Sequence, residues 1–208
     1  SHMHLLFLGV VKQVVKMLSD YCASLQVRNT FVGHVEPMMV SIKEMRLSFC
    51  RLEMFMGVAN SKLHAGWLCD NFVAFSRLML VITGPLFGCI ATPNNNTFNT
   101  EIHNAAEMVV ISCFVMVSHI MTPKPVDHEL LRHLFKVFLS CCDSFDKRAQ
   151  EVCPVGLWDK PNFLSLLNLV NQIKYFGPVH NTNDMNCKRK IQCVKPLISN
   201  IRKTESFM

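Results

Sequence analysis

Ten cysteines and nine histidines are the side chains of this 208-residue chain best suited to bind a metal or to act as nucleophiles. Structural zinc sites pair their ligands closely, with two Cys a short step apart. The nearest groupings here are His180 with Cys187 and Cys193, and Cys141-Cys142 with Cys153 and His133. Neither has the spacing of a metal site, so the residues imply no metal and no cofactor. Nucleophilic catalysis is no better served. The chain contains no Gly-x-Ser-x-Gly elbow, and its glycines form no phosphate-cradling loop. His128 and His133 are spaced so that they do not share a helix face. The thiols lie at Cys22, Cys50, Cys69, Cys89, Cys113, Cys141, Cys142, Cys153, Cys187 and Cys193, and most of them fall in apolar helical patterns. A free Cys packs there as a small hydrophobe, and an intracellular, reducing compartment fits that usage.

Two other constellations carry charge. Asp70 follows Trp67, precedes Asn71 and stands two turns before Arg77. An acid early in a helix complements the dipole, with the arginine as its partner or with its head in water. At the far end, Lys188-Arg189-Lys190, Lys195, Arg202 and Lys203 interleave with Ile191, Val194 and Ile198. A solvated helix face accounts for such a run. The alternative is contact with the phosphates of DNA or RNA, where each cation releases a counterion and binding falls steeply with salt. Phe207 is the one aromatic residue of this tail, so stacking on single strands has no support. The net charge of +6 is uneven, with six Lys/Arg against two acids in 181–208 and seven against eight in 101–180.

Helices must position all of these groups. Leu5, Leu8, Val11, Val15, Leu18 and Cys22 recur at three- and four-residue steps and predict a helix over 4–24. A second helix starts near Pro37 and buries Met38, Ile42, Met45, Phe49, Leu52 and Phe55. A third covers about 62–83 and ends at Gly84-Pro85. The run Thr92-Pro93-Asn94-Asn95-Asn96-Thr97 is the clearest loop. A fourth helix spans about 100–121, and a fifth follows Asp127 as N-cap. That fifth helix carries Leu130, Leu131, Leu134, Phe138, Leu139 and Phe145. A sixth, over 161–176, buries Phe163, Leu166, Leu167, Val170 and Ile173 and closes at Gly177-Pro178. The last segment, 184–203, is divided by Pro196.

No alternating strand pattern interrupts this series. The fold expected is all-α, an irregular bundle of about seven helices with no substantial sheet. Ser1-His2-Met3 reads as a tag remnant, and residues 4–208 read as a single helical domain with a basic C-terminal segment, 184–208. The abrupt apolar start at His4 suggests a piece cut from a larger protein. Phe72–Ala91 and Ala105–Met121 are long and apolar, but Arg77 and Gly84-Pro85 interrupt the first, and Glu107 and His119 the second. Both therefore read as core helices, with no membrane role.

Three patches together resemble the downstream half of eukaryotic DNA-transposon transposases of the Kyakuja–Dileera–Zisupton type. They are His4-x-x-x-Leu8-Gly9-Val10-x-Lys12, then Trp67-x-x-Asp70-Asn71 with Arg77-Leu78, then Phe163 to Leu169 leading to Phe176-Gly177-Pro178-Val179. The resemblance implies strand cleavage and transfer by carboxylates that hold two divalent metals about 4 Å apart. The chain departs from the pattern twice. The upstream acids have no counterpart, and Asp70 stands where the motif has Glu. Losing one methylene retracts the carboxylate by about 1 Å, beyond the ~0.5 Å tolerance of a working site.

The expectation is a non-catalytic helical domain of a transposon-derived protein. It would bind DNA or RNA through Lys188, Arg189, Lys190, Lys195, Arg202 and Lys203, or contact a protein partner, with a nuclear location ahead of a cytoplasmic one. A helical protein-interaction scaffold is one alternative. A fragment of a metal-dependent strand-transferase that needs upstream residues is the other.

Overall fold

The computed structural model describes residues 4–25, 69–91, 99–122, 125–154, 156–157 and 160–177. Among them are a π-helical lead-in, His4–Val11, and five α-helices: α1 (Lys12–Ser24), α2 (Cys69–Ile90), α3 (Thr100–Ile120), α4 (His128–Ala149) and α5 (Pro161–Phe176). No strand occurs among the described residues. The expected helix after Pro37, the 92–97 loop, Trp67 and the segment 184–203 with its six basic residues lie outside them.

α3 and α4 form the central antiparallel pair. Each has a cap that could be read from sequence chemistry. Asp127 is extended, and its carboxylate accepts from the backbone N–H of Glu129 and of Leu130, both at 3.0 Å. Asn99 does the same for Glu101 at 2.9 Å and Ile102 at 3.3 Å. The antiparallel register is visible at both ends. Arg148 in the last turn of α4 donates to Glu101 in the first turn of α3 at 2.7 Å. His119 near the end of α3 approaches the carbonyl of Asp127 at 3.4 Å. The Asp127 cap serves two otherwise unmet donors, so Asp127→Ala should cost about 1 kcal/mol, read as a lowered urea midpoint at unchanged slope.

One apolar core runs through all the elements. Phe7, Met17, Tyr21, Phe72, Phe75, Phe135, Phe138, Phe145 and Phe163 are its largest fully buried side chains. The lead-in packs on α1, α2 and α5, and α1 also reaches α3. The long apolar helix α3 has the length and composition of a membrane span, a property it shares with core helices, and more than half of that stretch is buried in the bundle.

Two expectations of helix shape need correction. First, Gly84-Pro85 does not end the third predicted helix; α2 continues through both to Ile90. Pro85 has no N–H for the carbonyl one turn back, but Val81, Gly84 and Pro85 all lie on the exposed side, where water can serve that carbonyl. Leu86, Phe87 and Ile90 are buried beyond the break, and their packing holds the final turns. Second, the first predicted helix changes character at Lys12. Residues 4–11 wind with the wider π repeat, which is rare and mostly confined to single turns.

Candidate functional site

The packing demand on the lead-in is visible at Gly9. A Cβ there would lie 2.9 Å from Cγ and 3.1 Å from Cβ of Asn162, in the first turn of α5. The Asn162 side chain lies this close to the lead-in backbone because Gly9 has no side chain of its own. The lead-in also packs on α2. The three patches singled out in the sequence thus sit on the lead-in, α2 and α5, which meet one another through the lead-in.

Asp70 and Asn71 occupy the first turn of α2, and Arg77 is exposed two turns further along. Trp67 lies outside the described residues. Gly9→Ala brings opposing effects. Alanine favours the helical backbone by up to about 1 kcal/mol, while the contact with Asn162 forces a shift. The Asn162 amide can swing away, but its Cβ cannot. We expect a net loss of about 1 kcal/mol, recovered when Asn162→Gly is added; a chemical-denaturation double-mutant cycle measures this.

A second cluster lies where α1, α2, α3 and α4 bring their ends together, and no motif announced it. The Tyr21 hydroxyl stands 3.3 Å from Nδ1 of His103, and both residues are buried. It can donate to a bare Nδ1 or accept from a protonated one. Phe87 of α2 meets the His103 ring edge-on, with centroids 5.1 Å apart. Phe145 of α4 meets Tyr21 edge-on at 6.3 Å. Burial holds His103 below the ordinary histidine range, and the Glu107 carboxylate partly opposes this. Burial also raises the Tyr21 phenol, helped by the nearby thiols of Cys22 and Cys153.

The thiols themselves are poor nucleophiles. Burial pushes Cys22 and Cys113 up to about 12. It raises Cys142 as well, and Cys153 goes up to about 11, with Asp20 and Asp146 adding to the effect. A thiolate is the reactive species, so these four are kept inert at neutral pH. That agrees with the reading of cysteine as core filler.

The grouping of Cys141, Cys142, Cys153 and His133 does not come together. Cys142 is buried, while Cys141, one step round the helix, is half-buried and His133 is exposed. Cys141 lines an open groove of about 440 Å³ between α3 and α4, with Glu101, Asn104, Met108, Ser140, Ser144 and Arg148. The Arg148–Glu101 bridge closes one end of it. Among the described residues no group of three Cys, His, Asp or Glu side chains is placed to hold a metal ion.

Charge is uneven along the chain: residues 1–180 carry fifteen Lys/Arg against thirteen Asp/Glu, and residues 181–208 carry six against two. Compared with models of protein families, with curated proteins and with solved structures, the chain matches none.

Proposed function

We propose that this chain is a non-catalytic helical domain of a transposon-derived protein, in which a basic C-terminal segment contacts nucleic acid. The observation that carries this reading is the partition of charge. Residues 1–180 hold fifteen Lys/Arg against thirteen acids, while residues 181–208 hold six against two. A solvated face on an ordinary globular domain needs no such segregation, because mixed signs serve solubility better. The meeting of the three motif-bearing elements at the lead-in supports the transposon relationship. The inert buried thiols and the Asp at position 70 support a binding role over catalysis.

The test is a salt titration of a mixed-sequence DNA duplex by fluorescence anisotropy. Six phosphate contacts give a slope of log K against log salt of about −5. Alanine at Lys188, Arg189, Lys190, Lys195, Arg202 and Lys203 should flatten the slope towards zero and leave the helical signal unchanged. Absence of binding at low salt removes the proposal.

One feature of the described residues favours a protein-interaction scaffold. Phe114, Val115, Leu130 and Leu134 line an apolar groove between the end of α3 and the start of α4, with Leu130 43% exposed. A partner bound there would hold on with little dependence on salt, in contrast to the duplex.

A further inference from the structure

α3 is largely apolar on every side, and one of its sides is open. It carries two acids, Glu101 and Glu107, and no Lys or Arg. Helices that are apolar all round are normally buried all round. Along the outer side Asn104, Met108, Ile111, Val115 and Ser118 recur at four- and three-residue steps. Met108 and Val115 are 48% and 42% exposed, and Ile111 is half-buried between them. The one acid beside this line, Glu107, is itself half-buried. Leu130 and Val137 of α4, both exposed, widen the apolar surface alongside.

The order along the line is the same read from either end: one polar residue, three apolar residues, one polar residue. A two-fold axis beside Ile111 therefore sets Met108 of one copy opposite Val115 of the other, Asn104 opposite Ser118, and Ile111 opposite itself. Steps of three and four residues are those of knobs-into-holes packing between helices. The same axis brings Glu101, in the first turn, towards His119, in the last turn, of the second copy, so a carboxylate meets an imidazole at both ends. Antiparallel α3 helices also set their dipoles favourably. The face is about 27 Å long by helix rise and about 20 Å wide across two helices. Two copies would cover on the order of 1,100 Å², near the lower limit for a specific interface.

We propose that two copies of this chain associate through α3, packed antiparallel about a two-fold axis beside Ile111. A second copy fits this face better than an unrelated partner, because the line is complementary to itself in polarity and in the groups at its ends. The contact area suits a reversible dimer. Association uses no residue of the basic segment and is independent of nucleic-acid contact.

Sedimentation equilibrium without nucleic acid tests it. The parent should pass from monomer to dimer between about 1 and about 300 μM, with a micromolar dissociation constant. Met108→Lys and Val115→Glu should each weaken the dimer by about thirtyfold or more, because each places two uncompensated charges in the interface. Both positions face water in a single copy, so the helical signal should match that of the parent. An equimolar mixture of the two variants should dimerise again, since the introduced lysine of one then faces the introduced glutamate of the other. A parent that stays monomeric over the whole range overturns the proposal. So does a dimer that both substitutions leave intact, or a mixture that stays monomeric, because Met108 and Val115 would then not face each other.

Discussion

Phe163→Ala should lower the stability of the folded chain by about 3–5 kcal/mol, the usual cost of truncating a fully buried aromatic ring. Phe163 is wholly inside and stacks on Phe138 of α4, with centroids 5.5 Å apart and planes 26° from parallel. Its neighbour Asn162 is the residue pressed against Gly9. One ring therefore secures the start of α5 to α4 and, next to it, to the lead-in. Few other contacts substitute, because α5 packs chiefly on those two elements. Urea denaturation of the variant should show a lower midpoint with an unchanged slope. A cycle with Phe138→Ala should return a coupling of about 0.5–1.5 kcal/mol for the stacked pair. A loss below about 1 kcal/mol would mean that the surrounding side chains collapse into the space, and Phe163 would then not be the anchor of α5.

The second large effect belongs to Tyr21 and His103. Tyr21→Phe keeps the ring and its edge contact with Phe145 but removes the hydroxyl facing Nδ1. Leaving a buried polar atom without that partner costs about 1–3 kcal/mol. Acid adds to this in a defined direction. His103 is held below the ordinary histidine value by burial, so the folded state resists a proton that the unfolded chain accepts near pH 6.5. Stability is therefore complete above that value and declines as the pH falls through it. The decline levels off once the pH lies below the folded-state value. His103→Gln can still hydrogen-bond but does not titrate, so its denaturation midpoint should vary less between pH 7.5 and 5 than that of the parent. Parallel pH profiles for the two chains would contradict the buried, neutral state of His103.

Much of the helical layout was legible residue by residue. Asp127 announced the start of α4, because a short carboxylate before an apolar periodic run has few better uses than capping. Pro161 and Gly177 bracket α5 in the order that helix ends prefer. In the stripe of the first predicted helix, Val11, Val15, Leu18 and Cys22 followed from spacing alone and are buried, while Leu5 and Leu8 are only partly so. Other readings failed for physical reasons that can be named. Leu130 and Leu167 were assigned to the core and are about half exposed, since a leucine on a broad apolar helix does not reveal which side a neighbour covers. Gly84-Pro85 read as a stop, because local chemistry argues for one and only distant packing argues against it. The lead-in contains no charged residue among its eight, so a repeat of 4.4 cannot be told from 3.6.

The Tyr21–His103 cluster left no trace in the sequence. Its members are 82 residues apart, and each resembles an ordinary residue on an apolar helix. The one available signal was a histidine set among alanines and isoleucine at the start of α3, a place where solvated residues are more common.

The Asp127 cap of α4 and the Pro161 and Gly177 ends of α5 depend on interactions within a turn or two, which residue type and spacing encode directly. The passage of α2 through Pro85, the widened first turns against Asn162 and the pairing of Tyr21 with His103 depend instead on side chains from remote parts of the chain. These features exist only once helices from remote parts of the chain compete for the same apolar interior, and no local pattern contains the outcome of that competition.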